Sequence, residues 1–422
     1  MKPEAIIKQA GCADDYDPGS LPADVALKRI LEAIEPVSAN ERIPIRKALG
    51  RILREDIISP VNVPSATNSA MDGYAIHSSD IPENGTASLQ VIGTAFAGKP
   101  FAGTVSPGQC VRIMTGAVMP AATDTVVMQE HVERTDGNIR IDNSTRAGAN
   151  VRNAGEDIAI GDNVLETGTE ITPADTGLVA SLGVGEITVS RQLRVAFFST
   201  GDELRSIGEP LAEGNIYDSN RYTLHGMLAR LGVEILDMGV IRDDCQALRD
   251  AFQQAAAQAD VLITSGGVSV GEADYVKEIL ESVGTVNFWK VAMKPGRPLA
   301  FGKIQNTWFF GLPGNPVSVM VTFYQFVQPA LRYLMGAREI APATFKAICK
   351  SGLKKRPGRV EYQRGIVARD DTGQVTVHKT GAQGSGILRS MAQANCFIIL
   401  PMESGNIEPG SLVDVQPFFG LI

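Results

Sequence analysis

The chain has 422 residues and a mass of 45.0 kDa, more than one ordinary core accommodates, so two to four domains are expected. Hydrophobic residues make up 44% and charged residues 20%, a normal globular balance, and the formal net charge of -8 argues against a general nucleic-acid or anionic-membrane surface. The five cysteines, Cys12, Cys110, Cys245, Cys349 and Cys396, are scattered without CxxC spacing. A disulfide framework and a zinc site are both disfavoured, and a reducing cytoplasm is expected. The start MKPEAIIKQAG has no apolar signal core, and no run reaches the length of a membrane helix.

Residues 1–20 are polar and read as an extension. Residues 22–35 place Ala26, Ile30 and Ile34 at helical spacing, with Leu27 and Leu31 beside them. Residues 43–58 predict a short strand and a helix. Residues 60–150 hold short apolar runs cut by glycine and proline, a β-rich unit with a hairpin turn at Asp136–Gly137. Residues 155–190 contain turns at Asp162 and Asn163, a helix opening at Thr172–Pro173, and a strand. From 192 to 335 strands and helices alternate, which predicts an open α/β domain. The helix after Asn315 is expected to bend or break near Pro329. Residues 340–422 read as a small β-domain.

In open α/β sheets, ligands sit beyond the carboxyl ends of the strands. Five loops of this region carry chemistry suited to such a position. The most informative is VLITSGGVSVGEADY at 261–275, where Ser265, Gly266, Gly267 and Ser269 suit a phosphate and Glu272 and Asp274 add carboxylates. FFSTGDEL leaves Asp202 and Glu203 at a strand end. In GVIRDDCQAL one aspartate caps the next helix, and Asp243 is favoured as the functional one. FWKVAMKPGRPLAFGK at 288–303 supplies Lys290, Lys294 and Arg297, with the two lysines expected on one strand face. FGLPGNPVS supplies Pro313, Gly314 and Asn315, and Pro316 opens a helix whose amides form another anion seat. Outside this region, Asp72 and Gly73, Thr115 and Gly116, and Arg152, Glu156 and Asp157 lie in further polar turns. A capped turn is the bland reading of FFSTGDEL alone, ordinary turns that of the stretches outside this region, and a solvated basic run that of the lysine loop, whose flanks are too apolar for it. Together they predict phosphate groups with a divalent cation held by carboxylates of these loops. No GxxxxGK[ST] or GxGxxG motif is present, and the four histidines lie outside the five loops.

The order of motifs NSAMDGYA, RIMTGA, GEDI, FSTGDEL, IYDSNR, SGGVSVGEADY, KPGRP and GLPGNPVS resembles the bacterial MoeA family of molybdopterin molybdenumtransferases, itself similar to the E domain of gephyrin. The resemblance runs from about residue 21 to the C-terminus. It implies a multidomain α/β protein divided into a 1–20 extension, a discontinuous first domain (21–59 with 151–190), a β-rich second domain (60–150), an open α/β molybdopterin-binding domain (191–337) and a β-barrel-like domain (338–422). It implies Mg2+-supported insertion of molybdate into adenylyl-molybdopterin, with release of AMP. It carries functional roles onto Asp72, Thr115, Arg152, Asp157, Glu203, Asp243, Asp274, Lys290 and Lys294, with Glu203, Asp243 and Asp274 as the metal ligands, and onto Ser385 in GAQGSGIL. It also implies a homodimer in which the α/β domain faces the partner's second domain, and transient contact with the adenylyltransferase and with molybdoenzyme maturation proteins.

Two positions depart from the family pattern. KPGRP replaces the frequent KPGKP, and Ala382 stands where histidine is common before QGS. A molybdopterin adenylyltransferase and a non-catalytic gephyrin-like scaffold remain as alternative readings. The first is disfavoured because one such domain is embedded among three others. The second is disfavoured because the acidic and lysine loops are all kept.

Overall fold

Apolar runs that end in glycine become the centre of a mixed sheet. A computed structural model describes residues 19–267, 279–280 and 282–418. Its α/β sheet runs in the order Glu234–Ile241, Arg194–Thr200, Val261–Ser265, Thr307–Leu312, Pro298–Ile304 and Gly284–Lys290. The first four strands are parallel and the last two join antiparallel. Every residue of Val261–Ser265 is buried, as a strand covered on both faces requires. One face packs on helices Ala23–Ala33 and Ser219–Arg230 and on the long helical segment from Pro316 to Leu334, and Ala26, Ile30 and Ile34 are buried there as their spacing predicts. The other face packs on helix Cys245–Gln258.

The Pro298–Ile304 strand lies inside what reads from sequence as a basic loop. Leu299, Ala300 and Phe301 are buried in it, and Gly302 lets the neighbouring strand approach; a Cβ there would lie 2.1 Å from the Thr285 carbonyl oxygen. The long helix is interrupted just before Pro329. Pro316–Thr322 and Gln328–Leu334 are α-helical, and Phe323–Val327 between them is a π turn. A π turn is one of the ways a helix absorbs a residue without an amide hydrogen.

The second sheet runs Thr125–Met128, Gly73–Ile76, Gln109–Ile113, Ala87–Ala95, Asn138–Ile141 and Glu133–Thr135. Its last hairpin turns at Asp136 and Gly137, with φ of 36° and 83°, the left-handed pair that a two-residue turn demands. A small discontinuous unit joins Asn40–Pro44 to Glu186–Ser190 and Ile57–Ile58 to Asn163–Leu165. The helix expected within 43–58 reduces to one 3-10 turn, Ile45–Lys47. Beyond it the amides of Leu53 and Arg54 bond to Thr169 and Thr188, so strand partners far along the chain outcompete local helix. Asn163 likewise opens a strand instead of making a turn.

Near the C-terminus, Phe345–Cys349, Val360–Arg369, Val375–Lys379, Cys396–Leu400 and Leu412–Pro417 form a sheet that closes on itself, because Val360–Arg369 also pairs with Cys396–Leu400. The short strand Met293–Lys294 adds to this barrel through Val360 and Glu361. Lys290 ends a different strand, so the two lysines do not share one strand face. Among the described residues, no helix is long and apolar enough to cross a membrane.

Candidate active site

Register brings the expected turns to one edge. Thr200 stands opposite Ile241, Ser199 opposite Ser265, and Ser265 opposite Leu312, so the segments after all four parallel strands emerge side by side. Gly266 has φ of +96°, and a Cβ there would lie 2.5 Å from the Thr200 carbonyl oxygen, so glycine is required. Its amide donates to Leu312 O at 3.1 Å, which locks two of the turns together.

The acidic residues divide by role. Asp244 caps helix Cys245–Gln258, accepting from the amides of Gln246 at 3.0 Å and Ala247 at 2.9 Å. Asp243, exposed beside it, accepts from the hydroxyl of buried Thr200. Glu203 is exposed and folds its carboxylate back over Gly201, where a Cβ would lie 2.7 Å from Oε2. Ser269, Glu272 and Asp274 lie outside the described residues. Among the described residues no three metal-ligating side chains cluster, so Glu203 and Asp243 form at most part of a cation site.

Pro313 is buried, and Gly314 and Asn315 are exposed at the start of the next helix. That helix start offers one free amide fewer than expected from sequence. Its Val317 amide donates to the carbonyl of Ser385 at 3.1 Å, because the 381–387 loop of the barrel packs against it. The Ser385 carbonyl thereby lies beside the start of helix Pro316–Thr322.

Lys290 is exposed at its strand end, and its carbonyl accepts from Leu21 N at 2.8 Å. Arg297 reaches Ser20 at 3.5 Å, so this guanidinium also contacts the segment entering from the N-terminus. Lys294 instead lines a cavity of about 280 Å³ together with Lys354, Glu361, Arg364 and Lys379. Its Nζ lies 4.0 Å from the buried carboxylate of Glu361.

Arg364 is the functional candidate that sequence reasoning missed. It is 1% exposed, donates to Ser390 Oγ and Gly384 O at 3.0 Å each, and burial lowers its pKa to about 10. A buried guanidinium bonded to a hydroxyl and a carbonyl retains its charge for an anion. The available signal was a charged pair, Glu361 and Arg364, inside a strand.

The remaining candidates assemble on the second sheet and its border. Asn68–Ser69 pairs with Val151–Arg152, while Ser69 exchanges backbone bonds with Gly116 and Ala117, so three separate motifs meet. Asp72 Oδ1 accepts from both the amide and the hydroxyl of Thr115, at 2.7 Å each. These two bonds, amide first, with Arg112 nearby, hold the Asp72 carboxyl below the usual range. Arg152 and Asp157 are exposed on the adjoining segment, where the Asp157 amide donates to Val63 O at 3.0 Å.

Three stretches match described families: residues 21–183 the MoeA N-terminal region (domain I and II), 196–333 a probable molybdopterin binding domain, and 346–418 the MoeA C-terminal region (domain IV). A molybdopterin molybdenumtransferase of Haemophilus influenzae is 47% identical over 404 residues, covering 95% of this chain and 100% of that relative. The chain belongs to the MoeA family. Another MoeA-family relative, the molybdopterin molybdenumtransferase of a Nostoc species, is 37% identical over 88% of this chain and 87% of its own length. Gephyrin of Dictyostelium discoideum is 35% identical over 93% of this chain, which spans 61% of that protein. The crystal structure of the moeA protein from Pyrococcus horikoshii superposes with a TM-score of 0.83 at 28% identity, covering 94% of this chain and all of the other.

Proposed function

We propose that this chain catalyses molybdenum insertion: molybdate enters the dithiolene of adenylated molybdopterin, and AMP is released. The observation that carries this reading is the Asp243–Thr200 pair beside the glycine turns at one sheet edge of a MoeA-family chain, together with the cationic Lys294–Arg364 cavity of the barrel. The turns at Ser265–Gly267 and Pro313–Asn315 seat the phosphate groups. Lys290 and Lys294 draw in the anionic substrate, and Arg364, with its fixed fork, orients an oxyanion. Glu203 and Asp243 offer the hard oxygen donors that suit Mg2+, which would offset phosphate charge as the bond to AMP breaks.

The reading includes a homodimer. Asp72 and Thr115 satisfy each other within their own sheet, and Asp243 and Thr200 do so within theirs. A second copy would set one pair against the other across a cleft. Purified protein with adenylated molybdopterin, molybdate and Mg2+ should release AMP in step with metal incorporation; release of pyrophosphate from ATP and metal-free molybdopterin would instead mark an adenylyltransferase. Co-expressing Asp72→Asn and Asp243→Asn chains tests the dimer. Two-fold hybrids carry one intact cleft, so random pairing should restore about a quarter of wild-type activity. No recovery in isolated hybrids would place both halves in one chain.

A further inference from the structure

The segment Asp218–Ser219–Asn220–Arg221 belongs to none of the catalytic loops, yet it lies beneath them. Asp218 caps helix Ser219–Arg230, accepting from the Arg221 amide at 3.1 Å. Arg221 anchors the helix sideways, with Nε 2.8 Å and 3.0 Å from the two oxygens of Asp237 in the neighbouring strand. Asn220, 9% exposed, faces the turns. Its Nδ2 donates to Ser265 Oγ at 2.8 Å and to Gly314 O at 2.7 Å. One amide nitrogen thus spans two turns that are 49 residues apart in sequence (314 − 265). The orientation of the amide is fixed, because the Gly314 carbonyl can only accept; turned over, the side chain would set oxygen against oxygen. Both hydrogens of the amide are therefore committed to the turns, a use that neither aspartate nor a hydroxyl of similar reach reproduces.

We propose that Asn220 is a positioning residue that sets the separation of the Ser265–Gly267 and Pro313–Asn315 turns, and with it the affinity of the site for a phosphorylated ligand. The inference rests on the function proposed above and adds the part that joins two of its turns. Backbone coupling alone is incomplete, since Gly266 N to Leu312 O ties the strand ends but leaves Gly314 beyond that bond. Without the amide, the Ser265 hydroxyl and the Gly314 carbonyl lose a shared donor, and each turn relaxes separately.

The test measures binding of adenylated molybdopterin and steady-state AMP release for wild type, Asn220→Ala, Asn220→Asp and Arg221→Ala. Loss of this buried bridge should weaken binding about tenfold in both Asn220 variants while kcat at saturation stays close to wild type. Asn220→Asp keeps the volume and decides the matter if Asn220→Ala does not fold. Arg221→Ala loosens the same helix without touching either turn and should bind nearly as wild type. Unchanged binding in Asn220→Asp overturns the inference, and so does an equal loss in Arg221→Ala. A wild type that releases no AMP would instead remove the functional reading itself, so the two failures are distinct.

Discussion

Among the candidate site residues, two aspartate–threonine pairs lie on different sheets, and they are held differently. Asp72, just before strand Gly73–Ile76 of the second sheet, takes both the amide and the hydroxyl of Thr115 on one oxygen. Asp243, past a parallel strand, takes the Thr200 hydroxyl. Two donors from one residue fix a carboxylate's direction and keep it ionised. A single hydroxyl, which can also rotate away, leaves a carboxylate able to exchange its partner for a cation. The first pair is built as a fixed charge and the second as an exchangeable one. On the proposed reading, the contrast suits Asp72 to electrostatic positioning and Asp243 to direct cation ligation.

The largest effect should come from removing the charges. Asp243→Asn should lower AMP release about 10²-fold or more with the fold intact, the usual cost of losing one preorganised electrostatic group. Asp72→Asn should also be severe, but through weaker use of bound substrate and not through Mg2+ dependence. Titrating Mg2+ separates them: the Asp243 variant should need more metal, and the Asp72 variant should not. An identical metal response in both would break the contrast.

Lys294→Ala comes next. Its ammonium lies beside the buried Glu361 carboxylate and shares the cavity with Arg364. Losing this cation should weaken substrate binding about tenfold, and added salt should narrow the gap between variant and wild type. Equal dissociation constants at low salt would make Lys294 a link between strand and barrel only.

Much of the α/β edge is legible from the chain alone, and the reason is physical. Buried parallel strands are unbroken apolar runs, and the turns after them need glycine, so Arg194–Thr200 and Val261–Ser265 stand out. Asp244 is separable from Asp243 because a helix cap has a local signature. What depends on distant partners is not legible. The Pro298–Ile304 strand is concealed by the preceding Pro-Gly turn and by Lys303, and only its neighbours reveal it. Arg364 gains its meaning when the barrel closes beside Lys294, and the Val317 amide loses its freedom when the Ser385 loop arrives. Local propensity over 43–58 favours helix, but the segment's strand partners lie more than a hundred residues away.

The smallest effects separate the two pairs most finely. Thr200→Val removes the hydroxyl that Asp243 uses, whereas Thr115→Val leaves Asp72 its backbone amide. Thr200→Val should therefore disturb turnover more. In Thr115→Val the Asp72 carboxyl, held low chiefly by the Thr115 amide and then by its hydroxyl, should rise partway toward the ordinary carboxylate range. The sign for stability follows by linkage. A carboxyl with a depressed folded pKa stabilises the protein above its unfolded pKa, and that contribution fades as pH falls through the folded value. Wild type should thus exceed Thr115→Val most at neutral pH, and the difference should shrink in acid. Carbon-detected NMR titration of Asp72, with melting curves at several pH values, measures both. A carboxyl that titrates unchanged in Thr115→Val would show that the amide alone holds it, and would shift the contrast between the two aspartates onto the backbone.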